Sequence, residues 1–178
     1  DYFAATDDQL RDFSPLAASV IEWTRHVLTK DQKDWLRSLR IKRMCDGFMM
    51  VHSTLDMPEK WGYVFDEAQA EDHFAYQTTA VCFHGHTHIP AIFRKSGGQT
   101  VRLPPEAITA SLGSKLFVNV GSVGQPRDGD PRACYVIYDS STKTISFQRV
   151  AYNVAAAQKK ILEAGLPERL ALRLALGK

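Results

Sequence analysis

Apolar positions along the chain fall into two periods, one helical and one extended. Leu16, Val20, Trp23 and Val27 recur at helical spacing behind Ser14-Pro15, an N-cap followed by proline at the first helical position. This predicts a helix that buries one stripe. Thr29-Lys30-Asp31-Gln32 is a capping box and predicts a second short helix through Trp35, Leu36 and Leu39. Three later runs are short and continuously apolar: Gly47–Val51, Thr79–Phe83 and Lys115–Val120. Runs of that length, rich in β-formers, read as buried strands. Between the first two, Tyr63 to about Tyr76 reads as a helix. Ala91–Arg94 and Thr100–Leu103 flank the turn Ser96-Gly97-Gly98-Gln99 and read as a hairpin. Ala133–Tyr138 and Thr144–Val150, joined by the polar turn Asp139–Thr142, read as another. Asn153 caps a helix that stops at Gly165, and Pro167 opens a last amphipathic helix expected to pack on the sheet. The sum is an α/β chain read as a single domain over 1–178, with no repeats and no internal boundary.

Composition narrows the function classes. A chain of 178 residues can bury a substantial core, and 24% charged residues is ordinary for a soluble globular domain. A net charge of +2, with no basic face interleaved with aromatics, argues against nucleic acid and against an anionic membrane as partners. No apolar run is long enough to span a bilayer. Cys45, Cys82 and Cys134 are odd in number and set among apolar residues, so they read as reduced thiols of a cytoplasmic protein. The chain opens at Asp1 without a methionine, which leads us to expect further sequence upstream.

Candidate chemistry collects where the three buried strands end. After Phe83 the chain continues His84-Gly85-His86-Thr87-His88-Ile89-Pro90, and after Val51 it continues with His52. If these two strands are parallel, His52, His86 and His88 emerge along one sheet edge, where open α/β sheets place their ligands. Neutral imidazole is the commonest metal-ligating side chain, so the three form a candidate metal site. Gly85 is expected to provide a sharp turn or a close approach to an ion. After the third strand, Asn119, Gly121 and Ser122 stand at a strand end and either line the same crevice or merely shape a turn. His26 reads as a solvated helix residue and His73 as polar filler. Trp61 and Tyr63 either wall a pocket or belong to the core.

These motifs resemble those of the calcineurin-like metallophosphoesterases. Gly85-His86-Thr87-His88 resembles the family's Gly-His-x-His signature, and Val51-His52-Ser53 its middle histidine motif, with serine where glycine is usual. Asn119-Val120-Gly121-Ser122 resembles the Asn-Pro-Gly-Ser loop of the bacterial single-domain branch, with Val120 in place of proline. Gly165-Leu166-Pro167-Glu168-Arg169-Leu170 resembles the ending of that branch, and the motifs follow the family order through almost the whole chain. The resemblance implies a metallophosphoesterase-like β-sandwich flanked by helices, in αββα layers.

By the same resemblance, His52 and His86 would bind one metal and His88 a second, with Asn119, Gly121 and Ser122 near substrate. The implied cofactors are two divalent ions (manganese, iron, zinc or nickel), and the implied reaction is hydroxide attack on a phosphomonoester or phosphodiester. The family's Asp-x-His and Gly-Asp-x-x-Asp motifs are not found in this chain. Asp1 resembles the last residue of Gly-Asn-His-Asp, so the chain resembles a family member that begins inside its third motif, and Asp1 would orient a preceding histidine. Three neutral histidines carry no negative charge to hold two dications. The 178-residue chain alone is therefore expected to have little phosphoesterase activity. A noncatalytic metal-binding or partner-binding module on the same fold is the competing expectation.

Overall fold

The computed structural model describes residues 2–6, 8–11 and 13–178. Three helices open the chain: α1 (Tyr2–Ala5), α2 (Pro15–Val27) and α3 (Lys30–Ser38). The Ser14 hydroxyl accepts the Ala17 N–H at the start of α2, and Thr29 and Gln32 cap α3 reciprocally, as the sequence predicts. Neither α2 nor α3 contains a buried residue, so the expected buried stripe does not form. Then follow β1 (Lys42–Met44), β2 (Phe48–Val51), a short 3-10 turn (Pro58–Lys60), α4 (Glu67–Phe74) and β3 (Val81–His84). The remaining elements are β4 (Ala91–Ser96), β5 (Gln99–Leu103), β6 (Ile108–Thr109), β7 (Ser114–Asn119), β8 (Ala133–Asp139), β9 (Thr144–Val150), α5 (Val154–Glu163) and α6 (Glu168–Leu176).

The strands form two sheets. The larger has the order β1-β2-β3-β7-β4-β5, and the smaller β6-β9-β8. The three apolar strands β2, β3 and β7 run parallel at the centre of the larger sheet, while β1, β4 and β5 add antiparallel flanks. Because side chains alternate across a strand, each face of this sheet builds its own core. Cys82, Phe93 and Phe117 face Ala70 and Phe74 of α4. Val81, Phe83, Leu116 and Val118 face the smaller sheet and meet Ile145 of β9. The expected two-sheet sandwich flanked by helices is the architecture found.

Three local expectations need correction. The helix predicted from Tyr63 starts only at Glu67, because the Asp66 side chain accepts the Gln69 N–H and caps it there. Tyr63 to Phe65 are left outside the helix, with Tyr63 and Phe65 exposed and Val64 buried in the core. The last helix packs on its neighbour α5 rather than on the sheet: Gln158 Nε2 donates to the Ala171 carbonyl at 2.9 Å. Its C-terminal end is tied to the loop before β8, where Gly129 N–H donates to the Gly177 carbonyl at 3.0 Å. β1 has no counterpart in the predicted elements. Its residues Lys42, Arg43 and Met44 are all exposed, so no apolar periodicity announces it.

Candidate metal centre

β2 and β3 are parallel, with Met50 opposite Phe83, so their carboxyl ends stop side by side. The loops leaving them are joined at once: Gly85 N–H donates to the His52 carbonyl at 3.0 Å. The two imidazoles that follow are in contact, with His52 Nε2 3.1 Å from His86 Nδ1 and ring centroids 5.0 Å apart. His88 lines the same open cavity, of about 390 Å³, together with Gly121 and Ser122. His88 is held differently. Its Nδ1 is 2.7 Å from the Gln125 carbonyl, which can only accept, so the proton sits on Nδ1 and the Nε2 lone pair is free.

Backbone strain concentrates here. Four non-glycine residues have left-handed φ among the described residues, and three of them touch this site: Trp61 (53°), His86 (68°) and His88 (62°). Each such residue costs of order 1–3 kcal/mol and persists only where its surroundings enforce it. Gly85 is not itself in the left-handed region, so the left-handed conformations fall on the two histidines and the alternative of close approach to an ion stays open for Gly85.

Asn119 is what enforces the loop. It stands opposite His84 at the end of β7 and is wholly buried. Its Nδ2 donates to the Gly85 carbonyl at 2.8 Å and to Thr87 Oγ1 at 2.9 Å, and its Oδ1 accepts the Gly121 N–H at 3.0 Å. Of the two alternatives read for Asn119, these hydrogen bonds fit the shaping of a turn. Both ends of its amide are used internally, and it positions the histidine loop. Gly121 and Ser122 do line the cavity. Gly121 has φ +77°, and a Cβ there would lie 2.7 Å from Cys134 Sγ, so only glycine fits. The expected role of Asp1 lies outside the described residues.

Aromatic rings wall the histidines, the first of the alternatives read for Trp61 and Tyr63. Tyr63 stacks on His86 at 4.3 Å, and Trp61 packs edge-on to His52 at 5.1 Å. The wall lowers the local dielectric and opposes protonation. Burial, then the neighbouring His52 charge, push the His86 pKa down to about 4. Burial likewise lowers His52 and His88 below the ordinary value. All three rings are neutral near pH 7, the form in which imidazole ligates metal. Behind the loop, His84 is fully buried, stacked on Phe117 at 3.9 Å with Nε2 unpartnered, and its pKa falls to about 3 through burial. His73, read from sequence as polar filler, is also buried, 3.6 Å from Asp56. His26 is exposed, as expected.

The model of the calcineurin-like phosphoesterase superfamily domain matches residues 19–143, most of the chain. The chain belongs to the calcineurin-like phosphoesterase superfamily. The crystal structure of a metallophosphoesterase from Sphaerobacter thermophilus is 34% identical, with a TM-score of 0.85, over 99% of this chain and 74% of that one. An uncharacterized protein of Methanocaldococcus jannaschii is 34% identical over 182 residues, 100% of this chain and 73% of its own length. A hypothetical protein of Pyrococcus horikoshii, 17% identical, shares the fold with a TM-score of 0.74 over 99% of this chain and 69% of its own. The calcineurin-like phosphoesterase family generally uses divalent metal ions to hydrolyse phosphoesters.

The donor set fits part of such a centre. Two nitrogens each bound at about 2.0–2.1 Å to one zinc-like cation lie roughly 3.0–3.4 Å apart, and the His52–His86 separation of 3.1 Å falls in that range. Among the described residues no group of three His, Cys, Asp or Glu side chains is arranged to enclose an ion. His88 shares the cavity without completing the set.

Proposed function

We propose that the chain carries the histidine side of a phosphoesterase metal centre, with His52 and His86 holding one divalent cation and His88 Nε2 the donor nearest to completing or extending it. The contact between His52 Nε2 and His86 Nδ1 carries this reading. At that distance two neutral imidazoles share one N–H···N hydrogen bond, while a cation between them is bound by both lone pairs. A divalent ion bound there supplies Lewis acidity to a phosphoryl oxygen and makes water a stronger nucleophile near neutral pH.

The protein's own contribution is positional. Asn119 fixes the backbone that presents His86 and His88. The Gln125 carbonyl fixes the tautomer and aim of His88. Tyr63 and Trp61 restrict the motion of the other two rings and exclude water from one side. Gly121 and Ser122 line the cavity beside the histidines, in which a phosphomonoester or phosphodiester would lie. The substrate reading rests on family membership together with this cavity.

Three imidazoles without a carboxylate suit one cation better than two, so we read weak hydrolysis by this chain alone. None of the helices of the described residues is long and apolar enough to cross a membrane, and all three cysteines are free. Those thiols support a reducing, cytoplasmic setting. Metal stoichiometry with zinc or manganese, measured beside hydrolysis of p-nitrophenyl phosphate and bis-p-nitrophenyl phosphate, tests the reading. The expected result is about one ion per chain, lost in His86→Ala, with slow metal-dependent turnover. Metal binding untouched by His86→Ala would overturn it, and metal binding without any turnover would favour the noncatalytic module.

A further inference from the structure

A second, larger cavity of about 950 Å³ adjoins the candidate metal centre at the end of β2. Met50, Val51 and His52 line both cavities, so one molecule placed at His52 can reach into each. The larger cavity lies between α3 and the first strand, with Leu36 and Leu39, Ile41 and Met44, and Met50 supplying its apolar lining. Three of these large apolar side chains are open to solvent, Leu39 at 50%, Met44 at 56% and Met50 at 38%. Single apolar residues on a surface need no account, but several gathered around one hollow mark a ligand site. Sites for small organic molecules run to about 300–1,000 Å³, so this one is large enough for a substantial group.

The lining also says what that group is. Trp61 and Tyr2 both face the cavity, with ring centroids 5.8 Å apart, and Trp61 is edge-on to His52 at 5.1 Å. The left-handed φ of Trp61, 53°, holds the indole against that histidine. Among the described lining residues only Tyr2 and Ser38 carry a hydroxyl and none carries an amide side chain, so a sugar alcohol finds few partners. The remaining polar lining is cationic: Arg40, Lys42 and Arg43, all exposed. Cations beside apolar walls concentrate anions, and they also bind the faces of aromatic rings. An aromatic anion meets both demands, its rings covering Leu39, Met44 and Met50 and its charge approached by the basic side chains.

We infer that this cavity receives the alcohol portion of the phosphoester while the phosphate lies at the histidines, and that this portion is a planar, apolar aromatic group. The substrate class is then an aryl phosphoester. The substrate assignment rests on the phosphoesterase reading; the aromatic site itself does not.

Calorimetric titration of the metal-free chain with 1-naphthyl phosphate, methyl phosphate and octyl phosphate tests it. 1-Naphthyl phosphate is expected to bind about tenfold more tightly than methyl phosphate, and more tightly than octyl phosphate. The double variant Leu39→Asn/Met44→Thr puts suitable residues at a helix end and in a strand, so its melting temperature should be unaltered. It is expected to lose about tenfold in affinity for 1-naphthyl phosphate and nothing for methyl phosphate. His86→Ala should leave 1-naphthyl phosphate binding to the metal-free chain unchanged. In the zinc-loaded chain the affinity should rise, and His86→Ala should abolish that rise alone. No binding of 1-naphthyl phosphate, equal affinity for methyl or octyl phosphate, full affinity in the double variant, or zinc bound at the histidines without a rise would overturn the proposal. Zinc that does not bind at all would instead sink the phosphoesterase reading, and with it the substrate assignment, while the metal-free titration decides the aromatic site.

Discussion

His52 Nε2 and His86 Nδ1 come from the loops after two different strands, 34 positions apart in the chain, and stand 3.1 Å from each other. Parallel pairing of β2 with β3 brings the two loops together, and the Gly85–His52 backbone hydrogen bond fixes their relative height. Substituting either ring should therefore remove one of two adjoining donors. His52→Ala and His86→Ala are each expected to weaken cobalt binding by tenfold or more, read from the visible absorption of the bound ion. His88→Ala, whose ring sits further round the cavity, should weaken it less and change the band shape.

Asn119 satisfies two groups of the histidine loop and the Gly121 N–H from a wholly buried position. Asn119→Ala leaves those partners without it, and each unsatisfied buried group costs about 1–3 kcal/mol. Destabilisation of roughly 2–4 kcal/mol is expected in a urea titration. Metal affinity should fall as well, although the amide touches no cation, because His86 and His88 lose the clamp on their left-handed backbone.

Gly121 tests the cavity beside the histidines. Gly121→Ala places a methyl group 2.7 Å from Cys134 Sγ at a φ of +77°, so steric overlap and backbone strain add. The expected loss is about 2–4 kcal/mol. Cys134→Ala should not rescue it, because the Cys134 Cβ is itself only 2.8 Å from the added methyl. Full rescue would show that the local geometry differs.

Stability of the metal-free chain should fall with acid in a window set by histidines. His86 and His84 have folded pKa values of about 4 and about 3, below the 6.5 expected in the unfolded chain. The unfolded state thus binds more protons between these limits, and stability present above pH 6.5 is lost as pH falls toward 4. Ordinary carboxylates titrate mostly below this window. His84→Gln is expected to flatten the slope of unfolding free energy against pH between 6.5 and 4.5, and an unchanged slope would remove His84 from the account.

Much of this could be read before the fold was known, for identifiable reasons. The central strands are continuous apolar runs, and the residues just beyond such a run stand at a sheet end; on that ground His52, His86 and His88 are read together. The caps Ser14, Thr29 and Asn153 act within three residues, so local chemistry announces them. What escaped depends on distant partners. Asn119 admits both a crevice and a turn reading because nothing local reveals that Gly85 and Thr87 claim its amide. Gly85 reads as a turn or a close approach to an ion, while the left-handed conformations fall on His86 and His88, imposed by that clamp. Tyr63 looked helical until the Asp66 cap excluded it and freed its ring to stack on His86.

Anomalous diffraction from crystals grown with zinc tests the central claim most directly. The account predicts a peak within about 2.0–2.2 Å of both His52 Nε2 and His86 Nδ1. A peak elsewhere on the chain, with these two nitrogens still joined by a hydrogen bond, would contradict it.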